Sequence, residues 1–208
     1  MNSIKTKDPL TIWAEALNGI FTPIILPTIG VIILFWFSDF SVFPNDNKLL
    51  TIWIFFTFSL LLPTILITLF RLYQGWSREQ LLEKERRTVP YALVIVCYLF
   101  CYYLLCQYQI IYHIKCIIIT ALITLTCCSL LNQKTNISTH SAAMGGATGL
   151  LVIYSLQHFQ FNPTWWLCLV IILSGVIGSC QIILRRHTFS QTLIGYCIGL
   201  IASILSIL

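Results

Sequence analysis

Charge is what this chain has least of. Aspartate, glutamate, lysine and arginine make up 9% of its 208 residues, where a soluble domain carries about 25%. So few charges exclude an ordinary soluble globular domain. Strand-length segments of alternating polarity are missing too, which excludes an outer-membrane barrel. Nine cysteines are present, yet no Cys-x-x-Cys and no Cys/His ligand spacing occurs. Cys97, Cys101, Cys106, Cys116, Cys127, Cys128, Cys168 and Cys197 lie inside apolar runs, and Cys180 lies near the end of another. They read as small, weakly polar residues of membrane helices rather than disulfide partners or metal ligands. The chain also lacks internal repeats, low-complexity tracts and room for a separate soluble domain.

What fills the chain instead is apolar: 58% of residues are hydrophobic, in runs long enough to cross a bilayer. The expected class is an all-α polytopic membrane protein of about six to seven helices, forming one transmembrane domain over residues 1–208. The expected spans are Leu17–Phe37, Leu49–Phe70, Tyr91–Ile111, Ile114–Leu131, Ser141–Leu156, Thr164–Leu184 and Phe189–Leu208. The first is too long for a signal-peptide core and lacks a small-residue cleavage site, so it reads as a permanent helix. Pro23 and Pro27 should kink it, and Pro63 the second. Tyr112 and His113 alone separate the third and fourth spans, which predicts a tight hairpin there. The series Ala142, Ala143, Gly145, Gly146, Ala147 and Gly149 should let the fifth helix approach its neighbours closely. Gly175, Gly178, Gly195 and Gly199 should do likewise in the last two.

Counting crossings places the polar material. Two spans separate the segment Arg71–Pro90 from His140, and two more separate His140 from His187. An even number returns the chain to the same face, so these segments share one membrane surface with the N-terminus. That face would carry Lys5, Lys7, Arg71, Arg78, Lys84, Arg86, Arg87, Lys134, Arg185 and Arg186, against Lys48 and Lys115 on the other. The positive-inside rule then turns the rich face toward the cytoplasm, and the expected location is a bacterial inner membrane. His113 and His158 fall elsewhere and read as interfacial polar residues.

Three short segments lie at helix boundaries on the shared face: Lys84-Glu-Arg-Arg87-Thr-Val-Pro90, Ser138-Thr-His140 and His187-Thr-Phe-Ser-Gln191. In this order they resemble the signature motifs of the type 2 phosphatidic acid phosphatase (PAP2) superfamily, approximately K-x6-R-P, P-S-G-H and S-R-x5-H-x3-D. The resemblance covers about Arg71 to Leu208, with residues 1–70 supplying two further helices. Ile137 and Thr139 stand where the second motif has proline and glycine. Cys180, Gln181 and Gln191 stand where the third has serine, arginine and aspartate. Gln80 holds the place of the first lysine, for which Lys84 would substitute.

The resemblance implies a metal-independent lipid phosphatase with a PAP2-like helical bundle, no cofactor and a phosphohistidine intermediate. His187 would be the nucleophile and Gln191, one turn on, would orient its ring. His140 would protonate the leaving lipid oxygen. Ser138, Thr139 and the N–H groups opening the fifth helix would bind phosphate oxygens. Lys84, Arg86 and Arg87 would supply positive charge, with Arg185 and Arg186 replacing the arginine missing at position 181. The substrate would be a phosphomonoester or pyrophosphate on a lipid such as phosphatidic acid, phosphatidylglycerol phosphate or an isoprenyl diphosphate. Expected partners are that lipid, the surrounding membrane lipids and further copies of the chain, with no nucleic acid. Two other readings stand beside it. One is a catalytically silent protein that binds phospholipid headgroups or scaffolds partners. The other is a small transporter, disfavoured because no charged residue sits deep inside a span.

Overall fold

The computed structural model describes residues 8–76, 88–157 and 164–207, and among these every regular element is helical. In chain order they are α1 (Pro9–Ile20), α2 (Leu26–Phe37), a 3-10 turn (Asp39–Val42), α3 (Asn45–Phe55), a π turn (Phe56–Leu61) and α4 (Leu62–Tyr73). Then come α5 (Thr88–Gln107), α6 (Tyr112–Leu131), α7 (Thr139–Gln157), α8 (Thr164–Ile183) and α9 (Phe189–Leu205). Four helical stretches are long and apolar enough to cross a membrane: Asn45–Tyr73, Thr88–Gln107, Tyr112–Leu131 and Thr164–Ile183. Helices α2 and α9 are apolar but shorter. Such an array is compatible with a membrane helical bundle.

The first expected span departs most from expectation. It is not one kinked helix: α1 ends at Ile20, and α2 starts at Leu26 after a turn that contains Pro23. A proline disfavours helical geometry at the residue before it and removes a backbone donor. Pro23 lies in the break, and Pro27 sits in the first turn of α2, where a missing N–H costs no intrahelical bond. The resulting junction is stabilised by Ser59, which is fully buried on the π turn. Its hydroxyl lies 2.8 Å from Thr28 Oγ1 and reaches the carbonyl of Ile24 at 3.5 Å.

Pro63 also acts differently from a simple kink. It sits in the first turn of α4, immediately after the π turn, where Leu62 N–H bonds the carbonyl of Thr57 five residues back. Widening the helix by one residue moves the preceding carbonyls away from the proline ring, so α3 and α4 continue as one 29-residue rod. The α5–α6 hairpin turns at residues 108–111 rather than at 112–113, and His113 lies in the first turn of α6. Gln109 takes φ +50° there.

Contacts between side chains define two ends of the bundle. At one end Phe40 packs on His113 and Tyr154, Phe37 packs on Trp166, and Tyr112 Oη donates to the carbonyl of Ser206. Here meet the start of α6, the end of α7, the start of α8 and the end of α9. At the other end Asn132 Nδ2 donates to Tyr91 Oη, which joins the end of α6 to the start of α5. A core of Val31, Phe35, Phe55, Cys101, Leu105 and Ile118 packs between α2, α3, α5 and α6. The cysteines are all free thiols, including the buried Cys97, Cys101, Cys116, Cys128 and Cys180.

The tightest packing joins α7 to α9, which run parallel. The carbonyl of Ser138 lies 2.6 Å from where a Cβ on Gly195 would sit, and Gly199 lies directly against the carbonyl of Ala142. Only a residue without a Cβ permits that approach. Because the pairing advances in step from 138/195 to 142/199, both helices begin at the same end of the molecule.

Candidate functional site

The end of the bundle where α7 and α9 begin gathers two connections, residues 132–138 before α7 and 184–188 before α9. Each is shaped by its own sequence. Asn132 organises the first: its Oδ1 accepts from Ile137 N–H while its Nδ2 holds Tyr91. Ser138 then caps α7. Its hydroxyl accepts from Ser141 N–H at 3.3 Å and from Ser141 Oγ at 3.1 Å, and its carbonyl accepts from Ala142 N–H. These bonds satisfy donors that the first helical turn leaves without intrahelical partners. His140 and Thr139 follow in that first turn, both half-buried.

The second connection is a Schellman turn ending α8. Arg185 N–H bonds the carbonyl of Ile182, and Arg186 N–H bonds that of Gln181, with Arg185 at φ +52°. The same pattern ends α4 around Gly75 and α5 around Gln109. Glycine is the usual residue at such a position because it has no Cβ to crowd the left-handed backbone. An arginine there lifts the chain off α8 so that Arg185 is exposed, while Arg186 and His187 are half-buried.

His187 closes the gap between the two connections. Its Nδ1 lies 2.9 Å from the backbone carbonyl of Asn136, and Asn136 Nδ2 donates to the carbonyl of Arg186 at 3.3 Å. A carbonyl only accepts, so Nδ1 carries the proton, and in the neutral ring Nε2 keeps the lone pair. The expected orienting residue, Gln191, is used elsewhere. Its Oε1 accepts from Thr188 N–H at 3.0 Å, while its own N–H donates to Thr188 Oγ1, forming a reciprocal cap on α9. The residue type and spacing that place a glutamine beside the ring also fit a capping box, and the cap is what forms.

Two further positions behave unlike the sequence expectation. Ser138 has no exposed surface, so in this conformation its hydroxyl serves the α7 cap and not a ligand. Gln181 is buried as well, and its Nε2 donates to Asn18 Oδ1 of α1. The fold thus brings His140, His187, Ser138, Thr139, Arg185, Arg186 and Gln191 to one end of the bundle. Lys84, Arg86 and Arg87 lie outside the described residues, as do Lys5, Lys7, Arg78 and His158.

Sequence reasoning overlooked Asn136, Asn132 and Asn18. The first two carried a signal, being amides in a short connection between apolar helices, where backbone groups need local partners. Among the described residues, no group of three or more histidine, cysteine or acidic side chains is placed to hold a metal. His187 thus lies at the end of the bundle where α7 and α9 begin, next in sequence to Arg185 and Arg186, and helix N-termini and cations are groups that favour an anion. Comparison of the chain with known family models, curated proteins and solved structures found no match.

Proposed function

We propose that this protein is a membrane lipid phosphatase of PAP2-like type, acting on a lipid phosphomonoester or pyrophosphate through a phosphohistidine. The observation that carries the reading is the bond from His187 Nδ1 to the Asn136 carbonyl. It ties the nucleophile candidate to a segment that continues through Ser138 into His140. It also leaves Nε2 as the nucleophilic nitrogen.

In the proposed reaction, His187 Nε2 attacks phosphorus as the bond from phosphorus to the lipid oxygen breaks. The departing oxygen takes a proton from His140, releasing the lipid alcohol, or the lipid monophosphate when the substrate is a diphosphate. Water then attacks the phosphohistidine with His140 as base. Inorganic phosphate leaves and both histidines are restored. Arg185, Arg186, Thr139 and the opening N–H groups of α7 and α9 stabilise the phosphoryl oxygens, with Lys84, Arg86 and Arg87 contributing charge. Ser138 acts through the cap it provides to α7. Six or seven crossings in a bacterial inner membrane, with the histidine end toward the cytoplasm, complete the proposal.

The test is phosphate release from short-chain phosphatidic acid by the purified protein in detergent with EDTA present. We expect His187→Ala to abolish release and His140→Ala to lower it by about 10²–10⁴-fold. Release that persists in His187→Ala, or that EDTA stops, overturns the mechanism. A second reading is favoured by the structural engagement of Gln181, Gln191 and Ser138: a catalytically silent headgroup-binding protein. It predicts phosphatidic acid binding without release of phosphate, and loss of binding in Arg185→Ala/Arg186→Ala.

A further inference from the structure

Helix α1 is the element with the least evident purpose. It lies outside the α5–α9 arrangement, and it packs on α8 beside an open apolar groove of about 440 Å³ lined by Trp13, Leu17, Ile172, Gly175 and Val176. Contact along the groove is incomplete. Near the end of α8, however, the two helices are joined by a buried amide pair. Asn18 is 4% exposed and Gln181 1% exposed, and Gln181 Nε2 donates to Asn18 Oδ1.

Two buried amides in an apolar environment are unfavourable unless each satisfies the other, so the pair sets how α1 and α8 register. Gln181 has a second task. Its backbone carbonyl accepts the N–H of Arg186 at 3.1 Å and that of His187 at 3.4 Å. One residue therefore receives the brace from α1 through its side chain and holds the histidine-bearing turn through its main chain. From His187 the chain of bonds continues to Asn136 and the α7 connection.

We infer that Asn18 is a positioning residue for the candidate site. Through Gln181 it fixes the end of α8, and so the height and rotation at which Arg186 and His187 meet the Asn136 segment. As a statement about turnover this rests on the phosphatase reading; as a statement about the turn it does not. A misplacement of about 1 Å at a reacting group is enough to cost on the order of 10²-fold in rate.

The informative variant is Asn18→Leu with Gln181→Leu, because replacing both partners with apolar side chains removes the bond without stranding a polar group. The compensating variant is Asn18→Gln with Gln181→Asn, which exchanges the two amides. Two quantities are measured in detergent: amide hydrogen exchange in the peptide spanning Arg185–His187, and kcat and KM on short-chain phosphatidic acid. The double leucine variant should exchange about tenfold faster in that peptide and lose about 10–100-fold in kcat with KM little changed. The exchanged-amide variant should recover both.

Wild-type exchange and turnover in the double leucine variant, or losses that the amide exchange fails to reverse, overturn the inference. If the double leucine variant does not fold, Asn18→Ala carries the same two measurements. A wild-type protein with no phosphatase turnover ends the functional proposal. The exchange measurement still decides whether Asn18 holds the turn.

Discussion

Arg185 adopts φ +52° where most helix ends of this kind use glycine, and the left-handed conformation costs a residue with a Cβ roughly 1–2 kcal/mol. Arg185→Gly should therefore raise thermal stability in detergent by about 1 kcal/mol, while removing a cation that the functional proposal assigns to phosphate. Stability and turnover should move in opposite directions. Gln109→Gly is the matching control. It relieves the same strain at φ +50° at the other end of the bundle, so it should stabilise without changing turnover. Ser138→Ala should cost about 1 kcal/mol through loss of the α7 cap, read as a lower melting temperature. None of these effects was visible in residue identity alone. The sequence marks Arg185 and Ser138 as polar residues at helix boundaries, but whether each faces a ligand or its own backbone depends on where the next helix begins.

At the scale of elements, glycines of equal appearance have opposite roles. Gly199 lies against the carbonyl of Ala142, whereas among the described residues nothing lies within 4 Å of where a Cβ on Gly175 would sit. Gly199→Ala should destabilise by about 1–3 kcal/mol, because backbone cannot move aside as a flexible side chain can. Gly175→Ala should be neutral or stabilising by up to about 1 kcal/mol through helix propensity. Thermal melting of the two variants in the same detergent separates them. Close packing of the fifth helix was legible in the sequence as a run of small residues, but its partner was not. Helix length was equally legible for α5, α6 and α8, since each is a long uninterrupted apolar run. It failed for the first run, where helical hydrogen bonding stops around Pro23 inside a stretch whose hydropathy stays high. Hydropathy reports what the surroundings tolerate, and backbone chemistry decides whether one helix or two result.

At the scale of the whole molecule, His140 and His187 lie at one end of the bundle, and Phe40, His113 and Tyr154 gather at the other. In sealed vesicles, a membrane-impermeant maleimide should therefore reach a cysteine placed at Ser190 and one placed at Val42 from opposite sides. Both positions are exposed. Labelling of both from the same side would contradict the crossing order. This arrangement was the part of the candidate site most legible in advance, because an even number of crossings returns a chain to the same face whatever the helices do between. Gln181 shows the limit of that reasoning. Its partner Asn18 is 163 residues away, and no spacing rule connects them.

The sequence by itself determined the all-helical class, the positions of most helices and the common end at which α7 and α9 begin. Each follows from apolar run length and from parity of crossing, which are properties summed along the chain. Only the tertiary structure decided that α1 and α2 are separate helices, that Gln191 and Ser138 cap helices, and that Asn136 holds the ring of His187. Each of these depends on which of several nearby polar groups a buried donor or acceptor finds, and a chain fixes that choice only when it is folded.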